Sequence, residues 1–277
     1  MTSTTTVPTV TLNTGTTMPQ LGFGVFQVPD DETTAAVASA LEAGYRSIDT
    51  AAIYGNERGT GRAIAESGVD RDELFVTTKL WNDDQGFDST LRAFDDSLGK
   101  LGLDSVDLYL IHWPAPANDR YLDSWRALER LFAEGRAKAI GVSNFQTEHL
   151  QRVIDLGGII PAVNQVEAHP ALQQREVQAF GAKHGILTEA WSPLAQGGLL
   201  GDPAITDIAA RVGATPAQVI LRWHLDHGRV AIPKSVTPAR IRENLASVSV
   251  QLDADDLVAI DALDRDGRDG PHPADVN

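Results

Sequence analysis

The sequence predicts a (β/α)8 barrel, eight parallel strands closed into a ring inside a ring of helices. Short apolar runs alternate with longer helical runs eight times, without a break in composition. A parallel sheet needs helical crossovers, and eight of them close naturally into a barrel. The length of 277 residues also matches the roughly 250 usual for one such barrel. The rival arrangement, an open doubly wound sheet, would want a Gly-rich phosphate turn in its first unit. Gly22-Phe23-Gly24 is too short for that, and no long helix starts directly behind it.

Taken in order, Thr9 to Leu12, a turn at Asn13-Thr14-Gly15, and Thr16 to Gln20 read as a β-hairpin plugging one end of the fold. Strands are expected near 21–25, 46–49, 74–79, 106–111, 138–142, 162–166, 186–190 and 230–232. Helices follow near 31–43, 57–67, 88–100, 120–134, 147–155, 173–184, 216–227 and 238–247. Asp30 or Asp31 is suited to cap the first helix, and Gly44 to stop it. Thr215-Pro216 gives the seventh an N-cap and a first-turn proline. Two extra helices lie outside the alternation, near 203–212 and 254–262. The Gly-, Pro- and Asp-rich tail 264–277 reads as a loop, and the whole chain 1–277 as a single domain.

Composition narrows the function. A formal net charge of −15 repels DNA, RNA and anionic lipid, so neither nucleic acid nor membrane is an expected partner. The absence of cysteine excludes disulfides, thiol catalysis and cysteine–zinc sites, and fits a cytoplasmic protein. Met1 to Val7 is Thr-rich and polar and does not read as a secretory signal. No apolar run approaches the ~18 residues of a membrane helix.

The expected strands end in Asp49, Lys79, His112, Asn144, Gln165, Trp191 and Lys234, at the end of a barrel where active sites form. Each has a duller account. Lys79 could snorkel to solvent, His112 could be a satisfied core histidine, Asn144 could cap the next helix, and Trp191 could be rim packing. Their recurrence at strand after strand is what favours chemistry. Tyr54 follows Asp49 in a small-residue loop closed by Gly55. An ammonium near a phenol stabilises the phenolate and lowers its pKa, and a carboxylate keeps that ammonium charged and aimed. A histidine orients a carbonyl by hydrogen bonding. These are parts for proton transfer to a carbonyl oxygen, and they lack a hydride source, so a cofactor must supply one. No set of His, Asp and Glu has metal-ligand spacing, so no metal is expected. His149, His169, His184, His224 and His227 carry no partner pattern.

Gly44 to Glu57, Val76-Thr77-Thr78-Lys79-Leu80-Trp81, Asp107 to Pro114, Gly141-Val142-Ser143-Asn144-Phe145 and Ile232-Pro233-Lys234-Ser235 resemble the aldo-keto reductase family. Glu189 to Leu194 and Leu263 to Arg268 look most like its bacterial 2,5-diketo-D-gluconate reductase group. The resemblance implies Tyr54 as general acid, Lys79 and Asp49 tuning it, and His112 positioning the carbonyl. It implies that Ser143, Asn144 and Gln165 hold the nicotinamide amide and that Trp191, where many relatives carry tyrosine, stacks on the ring. The loop Ser192 to Gly201, with Leu194, Gln196 and Gly198, would wrap the pyrophosphate, and Gly24 would also contact the cofactor. Phe26, Trp81 and Trp113 would line the substrate pocket beside His112, with rim packing as their duller account. The tail, with His272, would cover the active-site face, and the protein would be a monomer.

Lys234, Ser235 and Arg240 gather at a loop and helix start, a favourable phosphate site. They suit a 2′-phosphate, with Glu243 and Asn244 one turn on to meet adenine, so NADPH is favoured over NADH. The duller account is an arginine on a solvated helix face. The activity expected is NADPH-dependent reduction of small aldehydes or ketones, with keto-sugar acids among the candidates. The alternatives are a non-catalytic, redox-sensing nucleotide-binding subunit and a phosphosugar isomerase. The latter would want a Gly-rich phosphate loop and an acid–base pair.

Overall fold

A computed structural model describes residues 6–277. The reading of the Thr-rich start rests largely on Met1–Thr5, which lie outside the described residues. Strands β1 (Thr9–Thr11) and β2 (Thr17–Pro19) form the antiparallel hairpin. Eight parallel strands follow: β3 (Phe23–Gly24), β4 (Ser47–Asp49), β5 (Phe75–Leu80), β6 (Leu108–Ile111), β7 (Ile140–Ser143), β8 (Val163–Glu167), β9 (Leu187–Trp191) and β10 (Val230–Ala231). They pair in chain order. Gly22 N donates to Ala231 O, Ala231 N to Gln20 O and Gly24 N to Pro233 O, which joins the first strand to the last and closes the barrel.

The helices between them are α1 (Asp30–Ala43), α2 (Glu57–Glu66), α3 (Phe87–Leu101), α4 (Tyr121–Ala133), α5 (Thr147–Ile154), α6 (Arg175–Lys183), α8 (Pro216–Asp226) and α9 (Pro238–Leu245). The two extra helices are α7 (Pro203–Val212) and α10 (Ala254–Asp261), and each element lies within a few residues of its expected place. Parallel strands are covered on both faces, which is why they read as continuous apolar runs. One apolar layer lies between strands and helices, with Tyr109, Trp125, Ile140 and Val166 on one side of the barrel and Phe23, Val37, Ile48 and Val76 on the other. α7, α8 and α10 share a separate cluster around Trp223, Ile205 and Ile260.

Leu12 and Met18 of the hairpin segment pack with Phe75, Leu108, Val163 and Val230, which lie at or near the strand starts. The hairpin therefore seals the amino end of the barrel and leaves the carboxyl end for chemistry. Thr215 and Gln218 form the reciprocal cap of α8. Gly44 ends α1 at φ 116°, a left-handed conformation that glycine alone adopts without strain. The cap expected of Asp30 or Asp31 does not form. Pro29 occupies that position, and Asp30 instead accepts from Gly59 N at 2.6 Å and pairs with Arg62. A carboxylate in the first turn still complements the helix dipole, and here it also ties α1 to α2. Among the described residues no helix is long and apolar enough to cross a membrane.

Candidate active site

Asp49 is the last residue of β4, and Lys79 lies one short of the end of β5. Both point into the barrel, where Asp49 is 3% and Lys79 0% exposed. Lys79 Nζ donates to Asp49 Oδ1 at 2.5 Å and to Thr50 O at 2.9 Å. Burial of the ammonium opposes its charge, but Asp49, Tyr54 and Glu189 together outweigh that and hold the Lys79 pKa above its usual value. Lys79 is therefore cationic at neutral pH, and snorkelling to solvent is ruled out by its burial.

A short 3-10 turn, Ala52–Tyr54, carries Tyr54 over this pair, with Lys79 Nζ 5.2 Å from the ring centre. Burial pushes the Tyr54 phenol above its usual pKa, and the Lys79 charge and hydrogen bond pull it back only in part. The expectation that lysine leaves this phenol with a lowered pKa is thus corrected: desolvation outweighs the cation. The consequence is a phenol that keeps its proton through neutral pH, as a proton donor requires.

His112 follows β6, with its ring centre 5.6 Å from that of Tyr54. Burial, then the Lys79 charge, holds its pKa well below the usual histidine range, so the ring is neutral. Its Nδ1 is enclosed without a partner among the described residues. An enclosed lone pair costs less than an enclosed N–H, which places the proton on Nε2. Trp81 lies edge-on to His112 at 5.3 Å, and Trp113 is stacked at 6.3 Å. Phe26, 54% exposed, sits 5.0 Å from the Tyr54 ring. The three aromatics thus surround the Tyr54–His112 pair.

Asn144 does not cap the next helix, whose cap is Gln146. It sits at φ 64°, a left-handed conformation that asparagine tolerates better than most residues. Its Nδ2 donates to His112 O and Ser143 Oγ, and its Oδ1 accepts from Trp191 Nε1 at 2.8 Å. Ser143 Oγ donates to Gln165 O at 2.8 Å. Gln165 Nε2 donates to two carboxyls, Asp49 Oδ2 and Glu189 Oε2, each at 2.8 Å. One hydrogen-bonded set therefore runs from Lys79 through Asp49 and Gln165 to the ends of β7 and β9.

The loop after Trp191 contains left-handed backbone at Ser192, Ala195, Gln196 and Gly197. Three of these are not glycine, a local backbone strain of the kind that clusters at ligand clamps and turns. Leu194 is half-buried, and Gln196 and Gly198 are exposed on this loop. A Cβ at Gly24 would stand 3.2 Å from Ile232 O, so a tight backbone approach sits beside Pro233-Lys234. Lys234 and Arg240 are exposed, and neither makes an ion pair among the described residues. Unpaired cations flanking a helix start are notable on a chain with a net charge of −15. Ser235 Oγ accepts from Thr237 N. The Glu243 carboxylate is already engaged by Thr215 Oγ1 at 2.9 Å, and Asn244 is buried.

Two features were not visible in sequence. Glu189, 0% exposed, was only part of a recognised motif, and nothing marked it as a partner of Gln165. Glu167, at the end of β8, binds the tail: Asp269 N donates to its Oε1 at 2.6 Å and Gly270 N to its Oε2 at 3.0 Å. The sequence around His169 carries no partner pattern, and its Nε2 lies 3.1 Å from Glu167 Oε1. Glu167, His169 and Asp269 together have ligand atoms within 4.8 Å of one another, a grouping that sequence spacing did not reveal. The Glu167 oxygens are occupied by tail N–H groups, however, and Arg268 stands 3.5 Å away, so the cluster serves as a tail anchor. A Cβ at Gly270 would overlap the Trp191 ring. Gly270→Ala is expected to lower stability by about 1–3 kcal/mol through overpacking, read from the urea midpoint, and to shift tryptophan emission. An unchanged midpoint and spectrum would detach the tail from Trp191.

Known proteins place this arrangement. The aldo/keto reductase family model matches residues 15–265. An aldo-keto reductase of Mycolicibacterium smegmatis is 54% identical over 270 residues, covering 98% of each chain. Methylglyoxal reductase DkgA of Escherichia coli K12 is 53% identical over 269 residues, covering 96% of this chain and 97% of that one. A crystal structure of a Gox0644 mutant in complex with NADPH superposes with a TM-score of 0.94 at 49% identity, covering 98% of this chain and 99% of that one. With the family model spanning nearly the whole barrel and full-length relatives above half identity, the chain belongs to the aldo/keto reductase family.

Proposed function

We propose that the protein reduces a small reactive aldehyde or ketone to the alcohol with NADPH, using Tyr54 as the proton donor. The observation that carries this is a neutral phenol and a neutral imidazole side by side above a buried Lys79–Asp49 pair. Gln165, Asn144 and Ser143 would hold the nicotinamide amide, and Trp191 would stack on its ring. The strained loop from Ser192 through Leu194, Gln196 and Gly198, with Gly24, would follow the pyrophosphate. Lys234, Ser235 and Arg240 would take the 2′-phosphate, with Asn244 near adenine. Glu243, bound to Thr215, would hold α9 in place rather than offer its carboxylate.

NADPH, when bound, supplies hydride to the carbonyl carbon. His112 donates from Nε2 to the carbonyl oxygen and orients it. Tyr54 gives its proton to that oxygen as negative charge grows there. Lys79 stabilises the phenolate left behind, and Asp49 keeps Lys79 charged and fixed. Phe26, Trp81 and Trp113 make an apolar mouth that favours compact carbonyls such as methylglyoxal over bulky ones. The keto-sugar acid 2,5-diketo-D-gluconate is the second substrate to try, on the strength of the related reductases. A carbonyl panel run with NADPH and with NADH, following loss of reduced-nicotinamide absorbance, tests the reading. Turnover of no carbonyl with either cofactor would refute it.

The choice of NADPH has its own test. Arg240→Ala removes one charged hydrogen-bond partner of the 2′-phosphate, worth about 1.5–3 kcal/mol, so NADPH should bind roughly ten- to a hundredfold more weakly. NADH, which lacks that phosphate, should bind as before. Equal weakening of both cofactors, measured by tryptophan quenching, would place Arg240 in the shared adenosine site or the scaffold. No weakening of either would leave it on the solvated face of α9.

A further inference from the structure

Gln165 Nε2 carries two hydrogens, and both are engaged, one by Asp49 Oδ2 and one by Glu189 Oε2. Turning the amide over would set Gln165 Oε1 against Asp49 Oδ2, an acceptor on the carboxylate paired with Lys79. The orientation is therefore fixed, and Oε1, an acceptor, is the only hydrogen-bonding atom this side chain has left to offer. Glu189 is a wholly buried acid whose other oxygen, Oε1, has no partner among the described residues. A buried carboxyl is costly to keep for packing alone.

We propose that Glu189 is a positioning residue that, by occupying the second N–H of Gln165, makes the cofactor site selective for a pyridine ring bearing a carboxamide N–H. The inference rests on the NADPH reading above. Without Glu189 the amide is held by Asp49 alone and is freer to rotate, so that its N–H can reach the ring's carbonyl oxygen, which carboxamide and ketone analogues share, and the preference would relax.

The protonation state of Glu189 adds a second signature. Burial, then the charge of Asp49, pushes its pKa up to about 8, so at pH 7 it is a neutral acid. Asp49 on β4, Lys79 on β5 and Gln165 on β8 face it, and Tyr54 and Lys79 both feel its charge. The Tyr54 and Lys79 pKa values lie above their usual values and that of His112 well below, so Glu189 is the group of this set that titrates near pH 8. Its ionisation adds negative charge near the ring, which favours the cationic oxidised ring over the neutral reduced one.

The experiment measures dissociation constants for NADP+, its 3-acetylpyridine analogue, NADPH and 2′,5′-ADP in wild type, Glu189→Leu and Glu189→Gln. Wild type should prefer NADP+ over the acetylpyridine analogue. Glu189→Leu should lose about three- to tenfold of that preference, the scale of one hydrogen bond. Glu189→Gln keeps an acceptor for Gln165 and should retain the preference. Affinity for 2′,5′-ADP should stay constant in every variant. From pH 7 to 9 the ratio of the NADPH to the NADP+ constant should rise in wild type and stay flat in Glu189→Gln. An unchanged preference in Glu189→Leu overturns the inference, as does an equal loss in Glu189→Gln. If Glu189→Leu does not fold, Glu189→Met, a less branched apolar replacement, takes its place, and an unchanged preference there overturns it. Failure of wild type to bind NADPH at all would strike the functional reading first, so the two failures are distinguishable.

Discussion

Tyr54→Phe should bind NADPH as wild type does and turn over a carbonyl at least about 10²-fold more slowly, the scale of general acid catalysis. The substitution removes one hydroxyl and leaves the ring between Phe26 and His112. Little structural cost accompanies it, because the main polar neighbour of the hydroxyl is Lys79, which keeps Asp49 and Thr50 as partners. A loss of turnover with intact cofactor affinity therefore isolates proton donation. Near-normal turnover at saturating substrate and cofactor would remove Tyr54 from the mechanism. In wild type the raised Tyr54 pKa predicts reduction that is flat through neutral pH and falls only in the alkaline range, as the phenol loses its proton.

Lys79→Met should affect both stability and rate. The methionine keeps the stem but leaves the buried Asp49 carboxylate without its cation. Breaking one partner from a buried pair costs roughly 3–5 kcal/mol, which lowers the urea midpoint. Turnover should fall by about 10²-fold or more, because the phenolate formed in the reaction loses its stabilising charge. The sign of the pH effect follows from the environment of Tyr54. Lys79 pulls that pKa down, so its removal lets the pKa rise further and moves the alkaline limit of residual activity to higher pH. Wild-type rate with an unchanged pH profile would reduce Lys79 to a structural role.

The barrel was legible because its physical cause is written along the chain: buried strands read as apolar runs, and helix stops such as Gly44 and caps such as Thr215 mark the boundaries. Asp49, Lys79 and His112 were legible because a charged or polar residue at the end of a buried strand has no stabilising reason to be there. What sequence could not show was balance between opposing effects. It indicated that Lys79 would act on Tyr54, but not that burial would outweigh the lysine. Nor could it show partners brought together by the closed sheet. Gln165 and Asp49 are 116 residues apart, and Glu167 and Asp269 are 102 apart. Glu189 sat inside a recognised motif, yet its significance lies in a neighbour across β8 and β9. Asp30 misled for a related reason, since a contact with Gly59 competed with the local cap.

The most direct test of the account uses NADPH deuterated at both C4 positions, with methylglyoxal as substrate, and mass spectrometry of the alcohol formed. The account predicts one deuterium on the carbinol carbon for each NADPH consumed, and almost no labelled product from Tyr54→Phe. NADPH that binds yet yields no alcohol with any carbonyl would contradict it and point to a nucleotide-sensing barrel. Alcohol lacking deuterium would contradict direct hydride transfer.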